Sequence, residues 1–494
     1  MYLLGIDIGT SAVKVSVIEA ATQQCVGSAR YPDIESEIIS VKPGWAEQSP
    51  DMWWDHVKQA IARANAARTY DPKEIRAIGI AYQMHGLVMA DGEGNVIRNS
   101  IIWCDSRAVE TGNEAFDAIG HEKCLSHLLN SPGNFTASKF AWVKANEPEH
   151  YTKTSTIMLP GDFIAMKLTG EVTTSISALS EGVFWDFKEN GISADVISQY
   201  GFNREVIPAI RPVFAEHGKL TNAVAGLLGL TAAIPVTYKA GDQPNNALSL
   251  NVLKPGEVAA TAGTSGVIYG VSDHLTYDQQ SRINTFAHVN HAVGADRLGV
   301  LLCINGTGIL NRWTKNLFAS DTGYEEMNGI GKQVAPGSDG LRVLPFGNGA
   351  ERMLNNKIVG VHFQHIDLNL HTRAHMFRAV QEGIAFAFRY GLDIMRENGM
   401  VPNVIRAGRA NLFLSDLFTE AFVNATNVPV ELYPCDGSIG AALGAGIGAG
   451  IYASPEEAFS NSKPLSLVQP HATELYEAAY QEWKTLLERQ LAIS

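Results

Sequence analysis

Two glycine-rich turns, far apart in the chain, constrain its fold more than any other feature. The first lies in Gly5-Ile-Asp-Ile-Gly-Thr-Ser-Ala-Val-Lys14 and the second in Thr261-Ala-Gly-Thr-Ser-Gly266. Apolar, β-branched runs flank both: Tyr2–Ile6 and Val13–Ile18 in one case, Gly256–Ala260 and Val267–Val271 in the other. Period-2 apolar runs broken by Gly and Ser/Thr predict β-hairpins. Glycine lets the backbone turn tightly and approach a ligand, and the neighbouring hydroxyls and successive N–H groups can donate to phosphate oxygens. A single Gly-Thr-Ser turn is more often a plain hairpin. Its repetition points to two similar domains facing one nucleotide.

Asp7 adds weight to the first turn. It interrupts an apolar run just before Ile8-Gly9, where an unpaired charge is costly. A carboxylate beside phosphates is repelled unless a cation lies between them, so Asp7 reads as an indirect Mg²⁺ ligand. The alternative is an Asp that caps its own turn.

The chain has 494 residues, more than one hydrophobic core usually serves, which implies two domains of about 250 residues each. No Pro- or Ser-rich linker divides it, so the boundary is expected in a continuous crossover near 246–255. The expected units are 1–246 and 247–494. A net charge of −13 argues against a nucleic-acid or anionic-membrane partner. An anionic nucleotide must then be held locally, by N–H groups and metal. The apolar N-terminus is cut by Asp7 and carries no basic run, unlike a signal peptide. No run of 18 or more apolar residues lacks a charge or a glycine break, which excludes a spanning helix. Gly437–Gly450 is long and apolar, but its six glycines point to tight packing. The five cysteines match neither a zinc pattern nor a disulfide framework, and an odd count suits a reducing cytosol.

Strands and helices alternate along the chain, which gives α/β architecture. Ser49-Pro50 opens a helix whose apolar face is Met52, Trp53, His56, Ile61 and Ala62. Strands are expected at Ile75–Ala81, running into Tyr82-Gln-Met-His-Gly86, and at Ile101–Trp103, ending in Cys104-Asp-Ser-Arg107. Another, Pro235–Tyr238, leads into Lys239-Ala-Gly-Asp-Gln-Pro-Asn-Asn246. Thr473–Ile493 reads as a terminal amphipathic helix with Leu475, Ala479, Trp483, Leu486 and Leu487 inward.

Polar groups at the C-terminal ends of strands are where ligands of open α/β sheets bind. Asp242 sits at such a strand–turn–helix junction, between the two turns. Phosphoryl transfer needs positioning, charge neutralisation and one acceptor for the alcohol's proton, and Asp242 is the candidate acceptor. Helix capping is the competing reading. Met84 and His85 offer an apolar wall and an imidazole, and Asp105 with Arg107 a charge pair, which together could line a sugar pocket. Individually such residues are more often structural or solvated.

With these motifs in place, the chain resembles the FGGY carbohydrate kinases, and within them the xylulokinases. The resemblance runs to about residue 450. It rests on Gly5–Lys14, Gly44-Trp-Ala-Glu-Gln-Ser-Pro50 with Trp53-Trp54, Gln83-Met-His-Gly86, Trp103-Cys-Asp-Ser-Arg107 and Gly241-Asp242. It continues through Gly263-Thr-Ser-Gly266, Pro345-Phe-Gly-Asn-Gly-Ala-Glu-Arg352 with Gly360, and Gly437-Ser-Ile-Gly-Ala-Ala-Leu-Gly444. The resemblance implies two actin/hexokinase-like (ribonuclease H-like) domains, each a mixed five-stranded sheet flanked by helices, closing over ATP, Mg²⁺ and a ketose. By position it implies Asp242 as catalytic base, with Met84, His85, Asp105 and Gln243 at the sugar. Asp7 would serve the metal, and Gly9, Thr10, Ser11, Lys14, Gly263 and Thr264 the phosphates. Gly308, Gly408, Asn411 and Gly440 would face the purine. A homodimer rests on the resemblance alone. Three positions depart from the family pattern: the purine-side turn reads Arg406-Ala-Gly-Arg-Ala-Asn411, Gln243 follows the base where Asn is usual, and Cys104 precedes Asp105.

The expectation is a cytosolic, ATP-dependent kinase of a small ketose such as D-xylulose, acting on its terminal hydroxyl. Kinases of ribulose, fuculose or glycerol are the near alternatives. An actin- or chaperone-like ATPase would share the paired turns. A sugar-responsive regulator would need a helix-turn-helix and a basic face.

Overall fold

The structure is a computed structural model that describes residues 1–493. The first turn closes a hairpin as expected. Tyr2–Ile8 pairs antiparallel with Val13–Glu19, placing Ile8 opposite Val13, and Gly9 N–H bonds to the Ala12 carbonyl at 3.1 Å. Cys25–Tyr31 continues the antiparallel side, while Ile75–Tyr82 and then Val236–Gly241 add in parallel on the other. The result is a five-stranded sheet.

The second turn repeats the plan. Val258–Ala262 pairs antiparallel with Gly266–Ser272, which pairs antiparallel with Leu298–Ile304. Ile405–Gly408 and Val430–Tyr433 add in parallel on the opposite side. Here the expected five strands become seven, because Asn284–Ala287 and Ser466–Val468 extend both edges antiparallel. Edge pairing of this kind satisfies backbone groups that would otherwise invite another chain.

The helices that follow the last parallel strand of each sheet cross over. Ala247 and Leu250, in and just after the Asp242–Ser249 helix, pack with Ala259, Tyr269 and Val271 of the second sheet. The Gly437–Gly448 helix lies on the first sheet, with Ala441, Ala442 and Ala445 among Leu3, Ala77 and Tyr238. Close contact explains glycines on both sides: in the helix, a Cβ on Gly448 would lie 2.0 Å from the Thr237 carbonyl oxygen. A Cβ on Gly5 would lie 1.8 Å from the Ser438 carbonyl oxygen, and one on Gly79 would lie 2.0 Å from that of Ala441. Glycine in a helix interior costs about 1 kcal/mol relative to alanine. Burial of this helix against bare strand backbone offsets that cost.

Local expectations hold with adjustments. Pro50–Ala66 is helical, capped by Ser49 through Met52 N–H, but its buried face is Trp53, Trp54, Val57, Ala60, Ile61 and Ala64, with Ala62 exposed. The strand expected at Ile101–Trp103 shrinks to Ser100–Ile101, since Trp103 turns out to solvent. In the Thr473–Ile493 helix, Tyr476, Ala479, Tyr480, Trp483, Leu486 and Leu487 are buried, whereas Leu475 is exposed. Among the described residues no helix is long and apolar enough to cross a membrane.

Candidate active site

Two cavities meet between the sheets. One, of about 500 Å³, is lined by Met84, His85, Trp103, Asp242, Gln243, Gly263, Asn284, Arg352 and Asn411, among others. The other, of about 370 Å³, is lined by Gly263, Thr264, Gly308, Asn311, Arg312, Tyr324, Asn328 and Asn411, among others. Gly263 and Asn411 belong to both walls. The second turn therefore sits at the junction of the two chambers.

Asp242 is the first residue of its helix, with Gly241 in the cap position and no side-chain cap there. Its carboxylate lies one residue inside the cap position and accepts from the Gln243 backbone and side chain. Burial raises its pKa to about 7, helped by the charge of Asp7 and opposed by donation from the Gln243 backbone and side chain. Asp7 is raised to about 6, mainly by burial and then by Asp436, with Lys14 opposing. Acids whose charges repel, as Asp7 does Asp242 and Asp436 does Asp7, favour a nearby cation. Among the described residues no group of three or more His, Cys, Asp or Glu is arranged to hold a metal ion. Magnesium carried on a nucleotide needs only one or two carboxylates, its other ligands being water and phosphate oxygens. Asp7 fits that requirement.

His85 follows the Ile75–Tyr82 strand in a left-handed conformation, φ 61°, uncommon for a non-glycine residue. Burial, then Lys139 and Arg352, push its pKa down to about 3, so the ring is neutral. Its Nδ1 lies 2.9 Å from the Glu181 carbonyl. An Nδ1–H donor there assigns the tautomer and leaves Nε2 as an acceptor for a hydroxyl. Lys139 fixes the loop, its Nζ donating to the His85 and Ile102 carbonyls at 2.8 and 3.0 Å.

The first turn is wired to this cavity rather than lining it. Trp103 Nε1 donates to Thr10 Oγ1 at 2.9 Å, and Thr10 Oγ1 donates to Gln83 at 3.3 Å. The Thr10 hydroxyl is thus engaged, which leaves backbone N–H groups as the turn's free donors. The Ser11 carbonyl accepts from Ser36 N–H at 2.8 Å. Lys14 pairs with Asp436 at 3.6 Å. In the second turn the carbonyls are consumed. Gly308 N–H bonds to the Gly263 carbonyl at 3.0 Å, and Ile309 N–H to that of Thr264 at 3.2 Å. A Cβ on Gly308 would lie 2.3 Å from the Gly263 oxygen, so only glycine admits this docking.

Three expected residues fall elsewhere. Asp105 does not line the cavity: its buried carboxylate accepts from Ala46 N–H at 2.6 Å and from Arg107 at 2.7 Å. Arg107 in turn pairs with Glu47 at 2.7 Å and stacks over Trp45. The pair is neither a sugar contact nor solvated; it braces the turn that presents Trp103. Gly440 packs in its helix against Ser249, where a Cβ would meet Oγ at 1.7 Å, and Gly408 faces Cys435. Neither lines the nucleotide-sized chamber, whereas Gly308 and Asn411 do. Tyr324 and Asn328, which do line it, stand in a helix that carries no recognisable pattern. Arg352 lay in plain sight, at the end of the Pro345–Arg352 motif.

The family model described as the N-terminal domain of the FGGY family of carbohydrate kinases matches residues 2–249. The xylulose kinase of Bacillus subtilis (strain 168) is 29% identical over 422 residues, covering 82% of this chain and 80% of its own. A xyloylose kinase from Brucella ovis superposes with a TM-score of 0.90 at 26% identity, covering 100% of both chains. The glycerol kinase of Plasmodium falciparum shares the fold, with a TM-score of 0.89 at 20% identity over 99% of this chain and 98% of its own.

Proposed function

The chain belongs to the FGGY family of carbohydrate kinases and is a xylulokinase-like carbohydrate kinase, and from that premise we propose that it phosphorylates the terminal hydroxyl of D-xylulose with ATP. The observation that carries this reading is the pair of joined chambers with Asp242 on the wall of one and the Gly263 turn between them. One chamber suits a small polyol, the other a nucleotide whose triphosphate passes over the junction.

In this reading the ketose lies against Met84, with a hydroxyl donating to His85 Nε2. Asp242 accepts a hydrogen bond from the terminal hydroxyl and takes its proton as the oxygen attacks the γ-phosphorus. The bond from that phosphorus to the β-phosphate oxygen breaks, and ADP leaves. Transfer of this kind depends on positioning and electrostatics more than on covalent help. A base with a pKa near the working pH is well matched to that task. Asp7 would hold a magnesium ion arriving with the nucleotide, which would supply charge neutralisation for the phosphate oxygens. Backbone N–H groups of Thr10, Ser11, Gly263 and Thr264 are the fixed donors. Units 1–246 and 247–494 would close on this cleft and exclude water that would otherwise hydrolyse ATP.

A coupled ADP-release assay across D-xylulose, ribulose, fuculose, gluconate and glycerol tests the proposal. The expected result is the highest kcat/KM for D-xylulose. Preference for another sugar would replace the substrate, and no sugar-stimulated turnover at all would remove the kinase reading.

A further inference from the structure

Among the described residues, Arg352 is the one cation on the wall of the cavity that holds Asp242, and it has no ion-pair partner. Its Nη1 donates to the Ser281 carbonyl at 3.3 Å. Burial disfavours its charge, and only the Cys303 thiol supports it. Other enclosed arginines are neutralised where they stand: Arg107 by Asp105 at 2.7 Å, Arg378 by Glu382 at 2.9 Å and Arg342 by Glu482 at 2.7 Å. An arginine cannot escape the cost of enclosure by losing its proton, and an uncompensated enclosed charge is expensive. The fold nevertheless anchors it firmly. Glu351, next in the chain, turns away and accepts from Asn305 and Gly306 N–H at 3.0 and 3.2 Å. The same cavity is lined by Asp242 and His85, which follow strands of the first sheet, while Arg352 opens the short 3-10 turn Arg352–Leu354. Cys303 lies within electrostatic reach of both Arg352 and Asp242.

A fork of unused donors calls for an anion. The proposed reaction, on which this inference rests, brings a neutral sugar to this cavity and one anionic group, the phosphoryl in transit. We propose that Arg352 is a catalytic residue whose guanidinium binds the oxygens of that phosphoryl group as it passes to the hydroxyl held by Asp242. While the sugar O–P bond forms and the P–O bond to ADP breaks, charge spreads over three equatorial oxygens. A fixed guanidinium is placed to stabilise that charge without reorganising. The proton goes to Asp242, so the acid and the arginine divide the reaction between them.

The test uses the full-length protein with MgATP and whichever sugar the wild type phosphorylates. If the wild type phosphorylates none, the kinase reading itself falls, whatever Arg352 does. Given turnover, Arg352→Gln should lower kcat by about 10²–10³-fold and leave the sugar KM within about threefold. Added guanidinium ion should restore at least about tenfold of that loss, a rescue that a merely structural role would not show. Arg352→Lys, which keeps the charge but not the fork, should fold if the Gln variant does not and should show the same kcat-selective loss. A kcat near wild type in the folded variants overturns the proposal. So does a raised sugar KM with intact kcat, or a kcat loss that guanidinium leaves unchanged.

Discussion

Asp242 and Asp436 stand at corresponding places in the two sheets, each just after the outermost of the paired parallel strands and at the start of a helix that crosses to the other sheet. Their fates differ. Asp436 caps its helix, accepting from Ser438 N–H at 2.9 Å, and pairs with Lys14 at 3.6 Å. Asp242 lies one step further into its helix, accepts from the Gln243 backbone and side chain, and has a pKa of about 7. The same contrast recurs elsewhere. Asp7 stands two residues ahead of the first turn glycine, Thr261 ahead of the second; Met84-His85 follow one parallel strand, Ala410-Asn411 the other. One strand plan thus holds proton chemistry on one side and neutral groups beside the nucleotide-sized chamber on the other. Asp436 is paired with a cation, Lys14, whereas Asp242 has no cationic partner among the described residues.

The sharpest way to break this comparison is to remove the acid that lacks a cationic partner. Asp242→Ala should lower sugar-dependent kcat by about 10³-fold or more while sugar affinity, measured by titration calorimetry, changes little. Asp436→Ala should lose stability through its cap, by about 1 kcal/mol, and retain the proton-transfer step. Turnover near wild type for Asp242→Ala would falsify its role as base.

A second contrast concerns what covers the sheets. Gly79→Val drives a side chain into the Ala441 carbonyl, which a Cβ alone would approach at 2.0 Å. It should cost about 3 kcal/mol or more. Phe388→Leu, in the core of the second sheet, should cost only about 1 kcal/mol, because apolar side chains there can repack. Urea unfolding measures both; equal losses would mean that the glycine contact is not tight.

The smallest effect is on pH and stability. With Asp242 as the proposed base, kcat/KM should rise with pH through about 7 and fall below it. The linkage runs the other way for stability. A carboxyl whose folded pKa is raised binds its proton more tightly when folded, so it weakens the fold as pH rises from its ordinary value to about 7. Asp242→Asn should therefore raise Tm by about 1–3 °C at pH 8 and leave it unchanged near pH 4. An equal gain at both pH values would detach the effect from ionisation.

Both hairpins were legible from local pattern, because Gly, Ser/Thr and alternating apolar residues act within a few positions of each other. So were the Ser49-capped helix and the candidate status of Met84, His85 and Asp242. The part played by Asp105 was not, since its partners Ala46 and Glu47, the latter through Arg107, come from a distant segment and turn a pocket-lining acid into a brace. Gly440 was equally opaque: a glycine's purpose depends on what approaches it, and what approaches is Ser249.

The sequence by itself determined the duplicated strand plan, the two turns and the residue types able to move a proton, because these follow from short-range backbone preferences and side-chain chemistry. Only the tertiary structure decided which acid is left without a cationic partner, which helix covers which sheet and that an arginine lines the cavity of Asp242 without an ion-pair partner. Burial and neighbouring charge set those outcomes, and both are properties of the assembled fold, not of any segment.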